Sequence, residues 1–356
     1  PRASPISCGL RANRAQVALH TAAAVLIGVA LRLVILPEAL LDRGGGLGQA
    51  GFLVFFGLSK ALSNALGGAF ADRWGRRRAC LLGWAAGVAA APLLAAGLGA
   101  RPGGGPTSGS QTALGAADAM LGFMQGVAWG ANVVCLMDLL GPDGRSLASA
   151  ISNAAGYTGS AVAAPAVAAL VGADLDARWC AVWLGIAASL GLLLSVLAED
   201  TTRWVSAGGH LPVSANAAGA SRFVHRLGPQ MACGGAPQAL CCLGGLTLNA
   251  ATALVWGPAL AWLKNEGHAT ASSLGALEGF FTATKVAAML LAGAASYCLR
   301  PRPIAAVALG ILAMGLVGLA LEARQPELSW PSIIGAILFM GLGTGGAYPV
   351  LEAAVT

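Results

Sequence analysis

The chain predicts an all-α polytopic membrane fold: two pseudo-symmetric six-helix bundles, the second incomplete, with about ten spans present. Three observations carry this. Of its 356 residues, 56% are hydrophobic and 10% charged, with a mean hydropathy of +0.72. Continuous apolar runs recur along it, and about 20 such residues cross a bilayer as a helix. A segment of the first part also recurs near the other end. Membrane strands would alternate apolar and polar residues, and these runs do not.

Taken in order, the spans are expected at 15–37, 50–70, 79–99, 111–137, 147–172, 179–198, 237–262, 272–298, 303–321 and 331–355. Most connectors are short. Two are not: RPGGGPTSGSQ between spans 3 and 4, and the stretch from Glu199 to Pro237 between spans 6 and 7. The latter is rich in Ser, Gly, Ala and Pro and reads as a flexible linker. The expected organisation is a six-helix bundle over 1–200, a cytoplasmic linker over 201–236, and the first four helices of a second bundle over 237–356. The sequence starts at Pro1 and stops inside an apolar run at Thr356, so a truncated chain with two further helices is expected. No secretory signal is recognisable. The eight cysteines lack spacing that suggests disulfides or zinc, and Cys241-Cys242 reads as membrane filler.

Basic residues orient the chain. Of 21 Lys and Arg, three lie within spans (Arg32, Lys60, Lys285) and five in one set of connectors (Arg43, Arg101, Arg178, Lys264, Arg324); the rest are in the other set. Excess Lys and Arg in short loops marks the cytoplasmic side, which places the N-terminus inside. The net charge of +6 is mostly this bias and calls for no nucleic-acid partner.

The repeat aligns FFGLSKALSNALGGAFADRWGRR from Phe55 with FFTATKVAAMLLAGAASYCLRPR from Phe280. Phe55/Phe280, Phe56/Phe281, Ser59/Thr284, Lys60/Lys285, Leu66/Leu291, Gly68/Gly293 and Arg77/Arg302 correspond. Span 2 therefore matches span 8. A shared lysine at one register inside two apolar helices is the most telling correspondence. Parallel halves of this kind are a transporter plan.

GGAFADRWGRRR, between spans 2 and 3, sets an aspartate and four arginines between two apolar runs. The pattern Gly68-x-x-x-Asp72-Arg73-x-Gly75-Arg76-Arg77-Arg78 resembles the signature loop of the major facilitator superfamily. The resemblance implies a charge cluster on the inner face that latches the two halves in the outward-open state, with Gly68 admitting a close partner helix from the other half. Such clusters suit a two-state latch, because partly buried pairs are strong only while held in geometry. A plain basic loop fixing topology would need neither the aspartate nor the spaced glycines. In the turn between spans 4 and 5, Asp138 and Arg145 flank Gly141-Pro142, and the resemblance implies that Asp138 pairs with Arg76 or a neighbour. Gln125-Gly126, Trp129, Asp138, Gly141-Pro142, Arg145, Asn153 and Gly156-Tyr157, with MGLGTGGAYPVLEAA from Met340, resemble one little-characterised branch of the superfamily. Proton-coupled drug exporters of the superfamily carry an arginine where this chain has Gly122. Their Gly-Pro motif in span 5 is softened here to Ala164-Pro165.

An ionisable group at bilayer depth costs about 3 kcal/mol or more and marks function by default. Arg32, Lys60, Asp118, Glu278, Lys285 and Glu352 form that set. Lys60 and Lys285 fall near the midplane and could together hold an anionic substrate, as paired cations do in the superfamily's nitrate carriers. Alternatively an acid such as Glu278 or Glu352 neutralises one of them, or a lysine snorkels to an interface. Asn64, Gln125, Trp129, Asn132 and Asn249 supply neutral polar contacts, although singly each reads as readily as a helix–helix hydrogen bond.

The reading is a secondary active transporter of a small solute, working by rocker-switch alternating access, with an organic or inorganic anion as one candidate cargo. Proton-coupled export of drug-like or cationic compounds is the alternative, and a transporter-like sensor the third. The expected partners are the lipid bilayer, a small-molecule substrate and a coupling proton or other ion. No cofactor, metal ion or enzymatic activity is expected, since neither a phosphate-binding loop nor a nucleophile–base pair is recognisable. The protein is multi-pass, with plasma and organelle membranes both left open.

Overall fold

The computed structural model describes residues 13–41, 45–99, 108–141, 144–173, 176–202, 235–266, 269–296, 298–325 and 327–355; helical residues 38–41, 45–53, 65, 172, 235–242 and 352–355 are described by backbone alone. Everything described is helix or short connection. The helices are α1 (Arg14–Leu41), α2 (Gly45–Trp74), α3 (Arg76–Leu98), α4 (Ser108–Met124), α5 (Gly130–Leu140), α6 (Arg145–Gly172), α7 (Arg178–Leu197), α8 (Gly235–Trp256), α9 (Pro258–Glu266), α10 (Ala271–Ala295), α11 (Pro301–Glu322) and α12 (Trp330–Val355).

These form ten spans. A π-helical turn, Gln125–Trp129, joins α4 to α5 into span 4. The α8–α9 pair, broken at Gly257-Pro258, makes span 7. Among the described residues, nine spans are long and apolar enough to cross a membrane. Each predicted span coincides with a helix, several of which run past the apolar limits. Arg14 and Trp74, for instance, lie beyond the apolar core of spans 1 and 2 but still have helical partners. The linker predicted over 201–236 lies outside the described residues, apart from its first two and last two positions.

Small residues set the packing, as expected where lipid gives helices no hydrophobic reason to associate. α1 packs on α6 so closely that a Cβ on Gly28 would stand 1.7 Å from the Gly156 carbonyl oxygen, and one on Gly159 2.0 Å from that of Val25. Within the first six spans α3 also packs on α4 and α7, α2 on α4, and α1 on α7. In the later spans α12 packs on α10 and α11, and α8 on α12. The two sets meet chiefly where α6 lies along α10. A Cβ on Gly275 would fall 2.4 Å from that of Ala168, and one on Gly293 2.5 Å from that of Ala150, so this contact extends along most of both helices. The large lipid-compatible side chains point outward, among them Leu58, Leu62, Trp183, Leu193 and Val307.

Candidate functional site: a charge cluster at one face and a cation–aromatic chain at depth

Two constellations stand out. The first lies where α2 turns into α3. Gly75 has φ +100°, and a Cβ there would come within 2.1 Å of Asp200 Oδ2, so only glycine fits. That turn delivers Arg76 to three carboxylates. Its Nε donates to Asp138 Oδ2 at 2.5 Å, its Nη1 to Asp72 Oδ1 at 3.1 Å, and its backbone N–H to Asp200 Oδ1 at 3.3 Å. Thr201 Oγ1 donates to the same Asp138 oxygen at 2.7 Å. Arg77 donates to the Val196 carbonyl, tying the turn to the end of α7. Arg73 is exposed and lies 5.2 Å from the Trp74 ring centre. Arg145 is half-buried at the first turn of α6.

The Asp138–Arg76 contact expected from sequence is thus present. Asp200, just before the linker, is a member that sequence reasoning missed. The cluster joins spans 2, 3, 4 and 6. Asp72 pairs with Arg76 and is 68% exposed, whereas Asp138 is 10% exposed. Gly68 is exposed, a Cβ there would meet nothing within 4 Å, and no described helix occupies its face.

The second constellation lies at depth. Lys60 is about 21 Å along α2 from Trp74, and Lys285 about 21 Å along α10 from Ala271, at 1.5 Å per residue. Their settings differ despite the repeat. Lys285 is wholly buried; its Nζ donates to Thr252 Oγ1 at 2.8 Å and sits 3.9 Å from the Tyr157 ring centre, 5.5 Å from Tyr348 and 6.0 Å from Phe281. Lys60 is half-buried, 5.5 Å from the Phe56 ring centre and 5.8 Å from Trp129. Cations are attracted to such ring faces, the more so out of water.

The rings link the cations. Trp129 meets Tyr157 edge-on at 5.6 Å, and Tyr157 lies 6.1 Å from Trp256, whose ring lies 4.1 Å from the Arg32 guanidinium. Arg32 in turn pairs with Glu278, both wholly buried. The sequence of groups is therefore Lys60, Trp129, Tyr157, then Lys285 on one branch and Trp256, Arg32 and Glu278 on the other. Spans 1, 2, 4, 5, 7 and 8 contribute.

This revises one expectation. Glu278 neutralises Arg32, not a lysine. Its i+7 spacing from Lys285 puts them two turns apart on α10. The side chain of Glu352 lies outside the described residues. Asn132 is buried and serves helix contacts: its Nδ2 donates to the His20 carbonyl at 3.0 Å, and its Oδ1 lies 2.8 Å from His20 Nδ1. Trp129 Nε1 donates to Asn153 Oδ1 at 3.0 Å. Asn64 is exposed, and Asn249 is exposed and bonded to its own helix at the Gly245 carbonyl. Gln125 is 1% exposed, with neither amide atom hydrogen-bonded. Gly122 could hold no arginine, since a Cβ there would sit 2.4 Å from the Phe56 carbonyl oxygen. Among the described residues no His, Cys, Asp and Glu cluster suits a metal ion.

Comparison with known proteins agrees with this architecture. No curated protein matches the sequence. Among solved structures, the partially occluded inward-open xylose transporter XylE from E. coli matches with a TM-score of 0.64 at 16% identity, covering 96% of this chain and 86% of that one. The proton:xylose symporter XylE bound to 6-bromo-6-deoxy-D-glucose gives 0.66 at 15%, covering 96% and 82%. The human organic anion transporter MFSD10 gives 0.63 at 18%, covering 96% and 86%. At such identities the likeness is one of fold. The sequence itself matches the family model of the Major Facilitator Superfamily over residues 19–231, well over half of the chain, and the protein belongs to that superfamily.

Proposed function

We propose that this protein is a secondary active transporter that carries a small anionic solute by alternating access. Superfamily membership supports transport of this general kind. The anion rests on one observation: the aromatic chain that joins Lys60 to Lys285 between the early and late spans. With Arg32 and Glu278 the four central charges sum to two positive, and they stay net positive when buried Asp118 is added. An anion entering between the halves would offset this excess.

In this reading residues 1–200 and 237–356 are the two rocking bundles joined by the 201–236 linker, and the N-terminus is cytoplasmic. Arg32–Glu278 then lies toward the outer side, about 10 Å along α10 from its start, where it holds the outer end closed. The Arg76–Asp138 cluster braces the inner end of the first bundle, with Gly68, Asp72, Arg73, Gly75, Arg77 and Arg145 completing the gate. The Arg32–Glu278 pair also favours a second reading, in which Glu278 takes up a coupling proton when Arg32 leaves it.

The test is uptake into proteoliposomes from a panel of inorganic anions, organic anions, sugars and organic cations. Saturable anion uptake, abolished by Lys60→Gln, supports the proposal. Organic-cation or sugar uptake that is indifferent to both lysines overturns it.

A further inference from the structure

The π-helical turn in span 4 has a feature that the transport reading leaves unused. Gln125, its first residue, is 1% exposed, and neither its amide nitrogen nor its amide oxygen has a partner among the described residues. A buried amide without partners is costly and is rare in native proteins. π turns are themselves uncommon and recur at functional sites. Gly126, the next residue, lies against span 2. A Cβ there would stand 1.9 Å from Ser63 Oγ and 2.8 Å from the Lys60 carbonyl oxygen, so span 4 presses on span 2 beside Lys60. Three residues after Gly126, at the end of the same turn, stands Trp129, whose ring meets both the Lys60 ammonium and Tyr157. A second orphan donor lies further along the ring chain: the Trp256 indole N–H, buried and unpartnered, beside Tyr157 and Arg32.

These groups specify more than a negative charge. A small hydrated anion would surrender its water beside the rings of Trp129, Tyr157, Tyr348 and Phe281 that surround the lysines, whose π faces are negative and repel anions. A flat apolar body stacks on the same faces, and its acidic group would take the lysine charge and an orphan N–H. Resting on the anion reading above, we propose that the cargo is an aromatic or similarly flat organic monocarboxylate, with Trp129 and Tyr157 as its platform and Gln125 as the polar group that reads it.

Benzoate serves as the probe, with its affinity for the purified full-length chain measured by competition and thermal shift. Wild type should bind benzoate more tightly than nitrate or sulfate. Trp129→Leu should weaken benzoate about tenfold, in keeping with the energy of one lost stacking contact. Gln125→Met is the decisive variant. It removes an orphan amide at constant shape, so the unliganded protein should melt at a higher temperature while benzoate affinity falls about fivefold. Unchanged benzoate affinity in Gln125→Met overturns the role of that residue. Nitrate or sulfate binding as tightly as benzoate, with Lys60→Gln weakening them all, leaves the anion reading standing and overturns the organic cargo. Binding of xylose or tetraethylammonium but not benzoate overturns both.

Discussion

Arg32 of span 1 and Glu278 of span 8 form a wholly buried ion pair, with the Trp256 ring 4.1 Å from the guanidinium. It joins the first six spans to the later ones. A pair of this kind is worth little against an apolar substitute, but removing one partner strands a charge.

Glu278→Gln should therefore cost about 3–5 kcal/mol of stability, as should Arg32→Gln. The double change Arg32→Met/Glu278→Met should restore most of the loss. Unfolding in detergent, read as a double-mutant cycle, decides it. Equal and additive losses would mean that the two groups do not rely on each other.

At the other end, Asp138 and Asp72 both hold Arg76, but only Asp138 is shielded from water. Asp138→Ala should destabilise by about 2–3 kcal/mol, because it removes a short charged hydrogen bond and leaves Arg76 Nε and Thr201 Oγ1 without that acceptor. Asp72→Ala should cost under about 1 kcal/mol, as for an exposed pair. Similar losses at both positions would contradict the geometry.

The glycines separate in the same manner. Gly28→Leu should block assembly of α1 on α6, since even a Cβ meets the Gly156 carbonyl. Gly68→Ala should leave stability within about 0.5 kcal/mol, as at an unconstrained surface site. The yield of monodisperse protein and its melting temperature report both.

Orientation is open to a chemical test. Cys298 is exposed in the connection between α10 and α11, whereas Cys80, Cys135 and Cys180 are buried. With Cys298 as the only cysteine, a membrane-impermeant maleimide should label inside-out vesicles and spare intact cells. Labelling of intact cells would place the N-terminus outside.

Much of this was legible in the sequence, for physical reasons. Helices at bilayer scale announce themselves by length and hydropathy, and turns by their arginines. The Lys60/Lys285 match was visible because a charge inside an apolar run is costly enough to be noticed. Which groups meet was less legible. Glu278 could have paired with any cation at its depth, and only packing selects Arg32 over Lys285. The unequal burial of the two lysines comes from their surroundings, since Tyr157, Phe281 and Tyr348 close over Lys285 alone. Asp200 sits in a run that reads as linker, and its role depends on Gly75 bringing the turn against it. The π turn left no trace in hydropathy, and that Gly122 and Gly126 lie where two helices press together emerges only from the packing.

The central claim is that solute crosses by alternating exposure of the site between Lys60 and Lys285. Counterflow in proteoliposomes addresses it directly. Vesicles preloaded with unlabelled benzoate should take up labelled benzoate faster than empty ones, and Lys60→Gln should abolish that acceleration. Uptake that is indifferent to the internal load, or unchanged in both Lys60→Gln and Lys285→Gln, would contradict the account.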